Sequence, residues 1–141
     1  MYSYVMLGAS DMEQSRQFYD AFFGALGLPP GIANGDRYFY VGHSGTFGIC
    51  PASGSQLASH NSVGTVGFGA LSPQDVDAAC LAGQAAGGMR TDDPAGWLDT
   101  GVDGPLYMAY LRDPSGNKLC VLHQPPEAGA ESSPEKGPTT P

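Results

Sequence analysis

Residues 2–7 favour extended backbone, and the period of the apolar positions then changes. Met12, Phe18, Tyr19, Phe22 and Leu26 recur at spacings near three and four, which predicts an amphipathic helix packed on a sheet. Ser10-Asp11-Met12-Glu13 in front of it reads as a capping box, Ser10 accepting from the Glu13 amide and Glu13 reaching back to the Ser10 amide. Gly27 followed by Pro29-Pro30 ends this helix near Leu26. Residues 36–50 contain RYFYVG and TFGIC, two strands turning at His43-Ser44-Gly45, and residues 31–35 supply a further short strand.

The same order returns in the second half. Residues 63–70 read as a strand, and Ser72-Pro73-Gln74-Asp75 as a helix start with proline at the first helical position. Val76, Ala79, Cys80 and Ala86 form its buried stripe, and Gly87-Gly88 ends it. A loop-rich passage runs through Trp97, and residues 106–123 close the unit as a hairpin. Ser10 to Ser72 is an offset of 62, Gly27 to Gly88 of 61, and the turn glycines Gly45 and Gly116 lie 71 apart. The fold class is therefore α+β, with two modules at 1–52 and 62–123 joined by a linker at 53–61. Each sheet is covered by its own helix, so the other faces are expected to form one curved mixed sheet around a central cavity.

Composition narrows the partners. The 141 residues carry six Lys plus Arg against 14 Asp plus Glu, a net charge of −8, which repels nucleic acid and anionic membrane surfaces. Neither is expected as a partner. Cys50, Cys80 and Cys120 are odd in number and form no CxxC pair, which argues against a disulfide framework or a zinc knuckle. With no signal-peptide pattern at the N-terminus, a soluble, cytoplasmic protein is expected. Residues 124–141, QPPEAGAESSPEKGPTTP, cannot bury enough surface to offset ordering and read as a flexible, proline-rich tail.

Three segments carry a family resemblance: YVMLGASDMEQSRQFYDAFFGALGL, GTVGFGALSPQDVDAACLAGQAAGG and LYMAYLRDPSGNKLCVLH. Over about residues 1–123 the chain resembles the vicinal oxygen chelate superfamily, which includes glyoxalase, bleomycin-resistance and extradiol-dioxygenase proteins. The resemblance implies paired βαβββ modules, a homodimer, and a divalent cation held by inward His, Gln or Glu side chains from the first and last strands of each module. Carried onto this chain, those places fall on Tyr4, Ile49, Thr65 and Cys120. A phenol, an aliphatic side chain, a hydroxyl and a lone thiol do not make a site for a hard or borderline cation. No cofactor and no divalent metal are expected in the usual place.

The expected ligand-lining set is Tyr4, Met6, Phe47, Ile49, Thr65, Gly67, Cys120 and Leu122. It suits an apolar or aromatic small molecule better than a reaction. Cys120 is the sole candidate for a catalytic role, as a nucleophile, and a buried wall thiol is the plainer reading, because His123 falls on the opposite strand face. His43 at a hairpin tip and His60 in the linker read as solvated. Arg37, Arg90 and Arg112 are the arginines near strands that a bound anion would recruit, and Trp97 is expected to cap the cavity or a subunit contact. The alternative is a glyoxalase-type lyase or dioxygenase using a divalent metal in a non-standard site.

Overall fold

In the structure, a computed structural model that describes residues 2–52, 64–99 and 104–126, the first strand, β1, is Tyr4–Ala9. Side chains alternate across a strand, so Val5 and Leu7 pack on the core while Tyr4 and Met6 turn away from it. Helix α1 (Met12–Ala25) follows. Its N-cap is Asp11, whose side chain accepts from the Gln14 amide at 3.0 Å, so the cap lies one residue later than the Ser10 expectation. Aspartate and serine cap about equally well. What separates them here is that the Ser10 amide and hydroxyl both donate to the Ser115 hydroxyl, at 2.9 and 3.2 Å.

Phe18, Tyr19, Phe22 and Phe23 form the buried face of α1. The chain leaves it through Gly27, at φ 91°, a left-handed conformation that a side chain would strain. Then come β2 (Ile32–Asn34), β3 (Arg37–Val41) and β4 (Thr46–Pro51). They pair in the order β1-β4-β3-β2, with β1 parallel to β4 and the remaining pairs antiparallel.

The second module repeats the plan with β5 (Val66–Gly69) and α2 (Pro73–Ala85). Ser72 caps α2 as expected, accepting from the Asp75 amide at 3.1 Å. Its buried residues are Val76, Ala79, Cys80 and Gly83. Gly83 faces α1: a Cβ there would sit 2.9 Å from both Leu111 and Phe18, so its absence lets the two helices close on one another. The passage expected to be loop contains two short strands, β6 (Met89–Arg90) and β7 (Gly96–Asp99), both paired to β8 (Pro105–Arg112). The last strand, β9 (Lys118–His123), lies between β5 and β8, parallel to the first and antiparallel to the second.

The two βαβββ modules, one helix to each, are thus present, with β7 as an additional strand. The strands form one sheet of four and one of five, and no pairing joins the two among the described residues. A single apolar core serves both: Phe68 of β5 meets the rings of Phe22, Phe23 and Phe47 at centroid distances of 5.6, 5.0 and 5.3 Å.

A polar tie also joins the modules. The β8–β9 turn, Asp113-Pro114-Ser115-Gly116-Asn117, reaches the start of the first module, where Asn117 Nδ2 donates to the Gly8 carbonyl at 2.9 Å. The buried Tyr19 hydroxyl donates to Asp113 Oδ2 at 2.6 Å. No helix among the described residues is long and apolar enough to cross a membrane. The linker 53–61, His60 and residues 127–141 of the tail lie outside the described residues.

Candidate functional site

Strand registers fix what each sheet presents on the face away from the helices. In the first sheet Met6, Gly48, Phe39 and Ile32 stand in one row, and Tyr4, Thr46 and Val41 in the next. Met6 and Phe39 lean over Gly48, where a Cβ would lie 2.4 Å from the Met6 sulfur and 3.0 Å from the Phe39 ring. Tyr4, Ile32 and Val41 remain 63, 61 and 55% exposed. This is an apolar face with no cover of its own among the described residues.

In the second sheet Gly67, Cys120 and Tyr110 form one row, and Gly69, Leu122, Met108 and Gly96 the next. Lys118, Arg112 and Met89 form a third row at the turn end, and Leu106 and Leu98 a fourth at the opposite end. Of the expected lining, Tyr4, Met6, Gly67, Cys120 and Leu122 therefore lie on these open faces, and Thr65, just before β5, is exposed.

Phe47 and Ile49 do not join them. Both point the other way, into the core, where the Phe47 ring meets Tyr19 and Phe23 at 4.8 and 5.5 Å. The cause is a difference in turn length. Residues 42–45 join β3 to β4, whereas residues 113–117 join β8 to β9, one residue more. The glycine spacing of 71 therefore becomes 72 along the last strands, and register confirms it: Met6 faces Gly48, and its equivalent 61 residues on, Gly67, faces Cys120. A shift of one residue moves a strand position to the opposite face. From β4 it is Thr46, Gly48 and Cys50 that look away from the helix.

Cys120 is only 4% exposed even on this open face. Burial pushes its thiol up to about 11, the Cys80 thiol adds to the rise and Lys118 opposes it. That direction favours a protonated wall thiol at neutral pH. His123 is on the other face, opposite Tyr107, with Nδ1 3.0 Å from the Ala70 carbonyl oxygen. Trp97 is also on the helix-side face: it stands opposite Tyr107, their rings 5.3 Å apart edge to face, and does not cap the open face. His43 is exposed, as expected for a hairpin tip.

Sequence reading named Arg112 among the arginines that a bound anion would recruit, but did not place it beside Lys118 at the polar end of the second face. Lys118 Nζ lies 3.0 Å from Asp93 and 5.1 Å from the centroid of the Tyr110 ring. Asp93 also accepts from the Thr91 hydroxyl, and that bond together with the Lys118 contact holds its carboxyl below the usual range. Arg112 Nη1 donates to the Gly116 carbonyl at 2.7 Å. The alternation of Arg112 with Leu111, and of Lys118 with Leu119, was the available signal that both cations share the face of Cys120.

With the register settled, the four places where the resemblance implied metal ligands hold Tyr4, Gly48, Thr65 and Cys120. A phenol, a hydroxyl, a neutral thiol and no side chain at all do not fit a divalent cation. Among the described residues no group of three or more His, Cys, Asp or Glu could hold a metal ion.

No family model matches the chain, and neither does any curated protein. Among solved structures, a glyoxalase/bleomycin resistance protein from Albidiferax ferrireducens T118 is 51% identical, with a TM-score of 0.81, over 88% of this chain and 99% of that one. The chain belongs to the glyoxalase/bleomycin resistance family. Two more distant structures share its fold within the vicinal oxygen chelate superfamily. A glyoxalase-related enzyme from Fulvimarina pelagi has 21% identity and a TM-score of 0.65, over 89% of both chains. A lactoylglutathione lyase from Agrobacterium tumefaciens has 20% identity and a TM-score of 0.56, over 87% of this chain and 92% of that one. The βαβββ repeat read from the sequence is thus the glyoxalase/bleomycin resistance repeat.

Proposed function

We propose that this member of the glyoxalase/bleomycin resistance family binds a small apolar or aromatic molecule on its open sheet faces without a metal ion. The observation that carries this reading is the donor set Tyr4, Gly48, Thr65 and Cys120 at the places a metal would need. Around those positions the faces offer Met6, Phe39, Ile32, Met108 and Leu122, which is apolar area with few polar groups. Sequestering a toxic compound, as resistance proteins do, is the concrete form of this activity. We further propose a homodimer, whose second copy covers part of the exposed Tyr4, Ile32 and Val41 surface.

Metal analysis of the purified protein, with thermal shift in Zn²⁺, Ni²⁺, Mn²⁺ and Fe²⁺, tests the reading. Little bound metal and no stabilisation are expected. Near-stoichiometric metal, or a large stabilisation reversed by chelator, would overturn it in favour of a metal-dependent lyase or dioxygenase. Sedimentation equilibrium tests the dimer, and a monomer at tens of micromolar would refute it.

A further inference from the structure

We propose that the Tyr110 hydroxyl orients a neutral aromatic carbonyl compound on the second sheet's open face, donating to the carbonyl oxygen while the ligand's rings lie along Met108 and Leu122. The proposal rests on the small-molecule reading above and deepens it by naming the ligand's functional group.

Three other tyrosines of the chain are matched with carboxylates: Tyr19 donates to Asp113 at 2.6 Å, Tyr40 to Asp20 at 2.8 Å and Tyr107 to Asp77 at 3.0 Å. Tyr110 differs, because among the described residues its hydroxyl has no hydrogen-bond partner. It is nonetheless half-buried, and burial, followed by Cys120 and Asp93, holds its phenol above the ordinary range. A phenol drawn out of water is ordinarily given a partner. Within its row Gly67 has no side chain and Cys120 is closed to solvent, so Tyr110 is the polar group that a ligand can reach.

Lys118 decides what kind of bond forms. Its ammonium stands 5.1 Å from the centroid of the Tyr110 ring, and Asp93 holds it from 3.0 Å. A cation over the ring draws electron density from the phenol, which makes its O–H a better donor and its oxygen a poorer acceptor. The complementary ligand group is therefore an acceptor. A carbonyl suits a flat ligand, because its lone pairs lie in the molecular plane and one can turn toward the hydroxyl. The Lys118 charge is already matched by Asp93, and the chain carries a net charge of −8, so a neutral acceptor is favoured over an anion.

From Tyr110 the face becomes apolar, first through Met108 and Leu122 and then through Leu106 and Leu98. Tyr110 to Leu106 covers about 13 Å at the rise of a strand, long enough for a bicyclic ketone lying along it. The space beside the apolar rows is open on both flanks: a Cβ built at Gly69 or at Gly96 meets nothing within 4 Å.

Calorimetric titration of the intact protein with 2-acetylnaphthalene and with 2-isopropenylnaphthalene, which has a CH₂ group where the ketone has oxygen, tests the assignment. Wild type is expected to bind the ketone about fivefold more tightly than the hydrocarbon. Tyr110→Phe should abolish that preference while leaving the hydrocarbon's affinity unchanged, which also shows that the variant is folded. Tyr107→Phe, on the other sheet face, should leave the preference intact. Gly69→Val should weaken both probes by filling the space beside Leu122. Equal affinities in wild type, or a preference that survives Tyr110→Phe, would overturn the carbonyl assignment while leaving the apolar-ligand reading standing. Tighter binding of 2-naphthoate than of the ketone would overturn the choice of a neutral ligand. Binding of none of these probes would overturn both readings.

Discussion

Removing the Asp113 carboxylate should loosen the joint between the modules. Its Oδ1 accepts from the amides of Ser115 and Asn117, each at 2.9 Å, and its Oδ2 accepts from Tyr19 at 2.6 Å and from Asn117 Nδ2 at 3.0 Å. The group is buried, so none of these bonds is replaced by bulk water. Hydrogen bonds to a charged partner contribute about 1.5–3 kcal/mol each, and a buried donor left without a partner costs about 1–3 kcal/mol. The four bonds share one acceptor and do not add, so Asp113→Ala should cost about 3–5 kcal/mol. Tyr19→Phe removes one bond and leaves the carboxylate three donors, so it should cost about 1–2 kcal/mol. In the Asp113→Ala background the same change should cost almost nothing, because the phenol there has already lost its acceptor, giving a coupling of at least about 1 kcal/mol. Urea denaturation followed by circular dichroism measures all four corners of the cycle. A loss below about 1 kcal/mol for Asp113→Ala, with an unchanged urea slope, would refute this account of the tie.

Truncating the core-facing aromatic of the first sheet is costly: Phe47→Ala should cost about 3–5 kcal/mol by denaturation. Stability should also fall in alkali. Burial, and then the Asp113 charge, hold the Tyr19 phenol well above its ordinary range, so above about pH 10 the unfolded chain ionises and the folded one does not. The loss is up to about 1.4 kcal/mol per pH unit from this group, and Tyr19→Phe should flatten melting temperatures measured between pH 9 and 11. Native alkylation with iodoacetamide at pH 8, mapped by peptide mass spectrometry, should modify half-buried Cys50 before Cys120, whose thiol ionises only near 11.

Most of the frame was legible because it rests on short-range signals. The caps and stop glycines bounded both helices, the period-two runs gave the hairpins, and the repeat placed β5 after β1 by 61 residues. The errors came where a local signal could not count what lay further away. Ser10 and Asp11 are both good caps, and the bonds from Ser10 to Ser115, 105 residues distant, are absent from any local pattern. The glycine spacing of 71 was correct for the turns and wrong for the strands beyond, because the β8–β9 turn holds one more residue than the β3–β4 turn. That single residue put Phe47 and Ile49 on the wrong face. The strands β6 and β7 escaped notice because they are two and four residues long and gain their stability by pairing with β8. The cations Arg112 and Lys118 were overlooked as a pair because their adjacency exists only across the ladder.

The turn at 113–117 also makes the two halves of the repeat unequal heirs. Tyr19, Ser10 and the Gly8 carbonyl belong to the first half, while Asp113, Ser115 and Asn117 belong to the second. The corresponding turn of the first half, Gly42-His43-Ser44-Gly45, has no carboxylate to offer. A chain built from two first halves would bury a phenol with no acceptor, and one built from two second halves would bury an acid without that phenol. Exchanging modules between relatives would therefore have to carry both sides of the tie, Tyr19 together with Asp113.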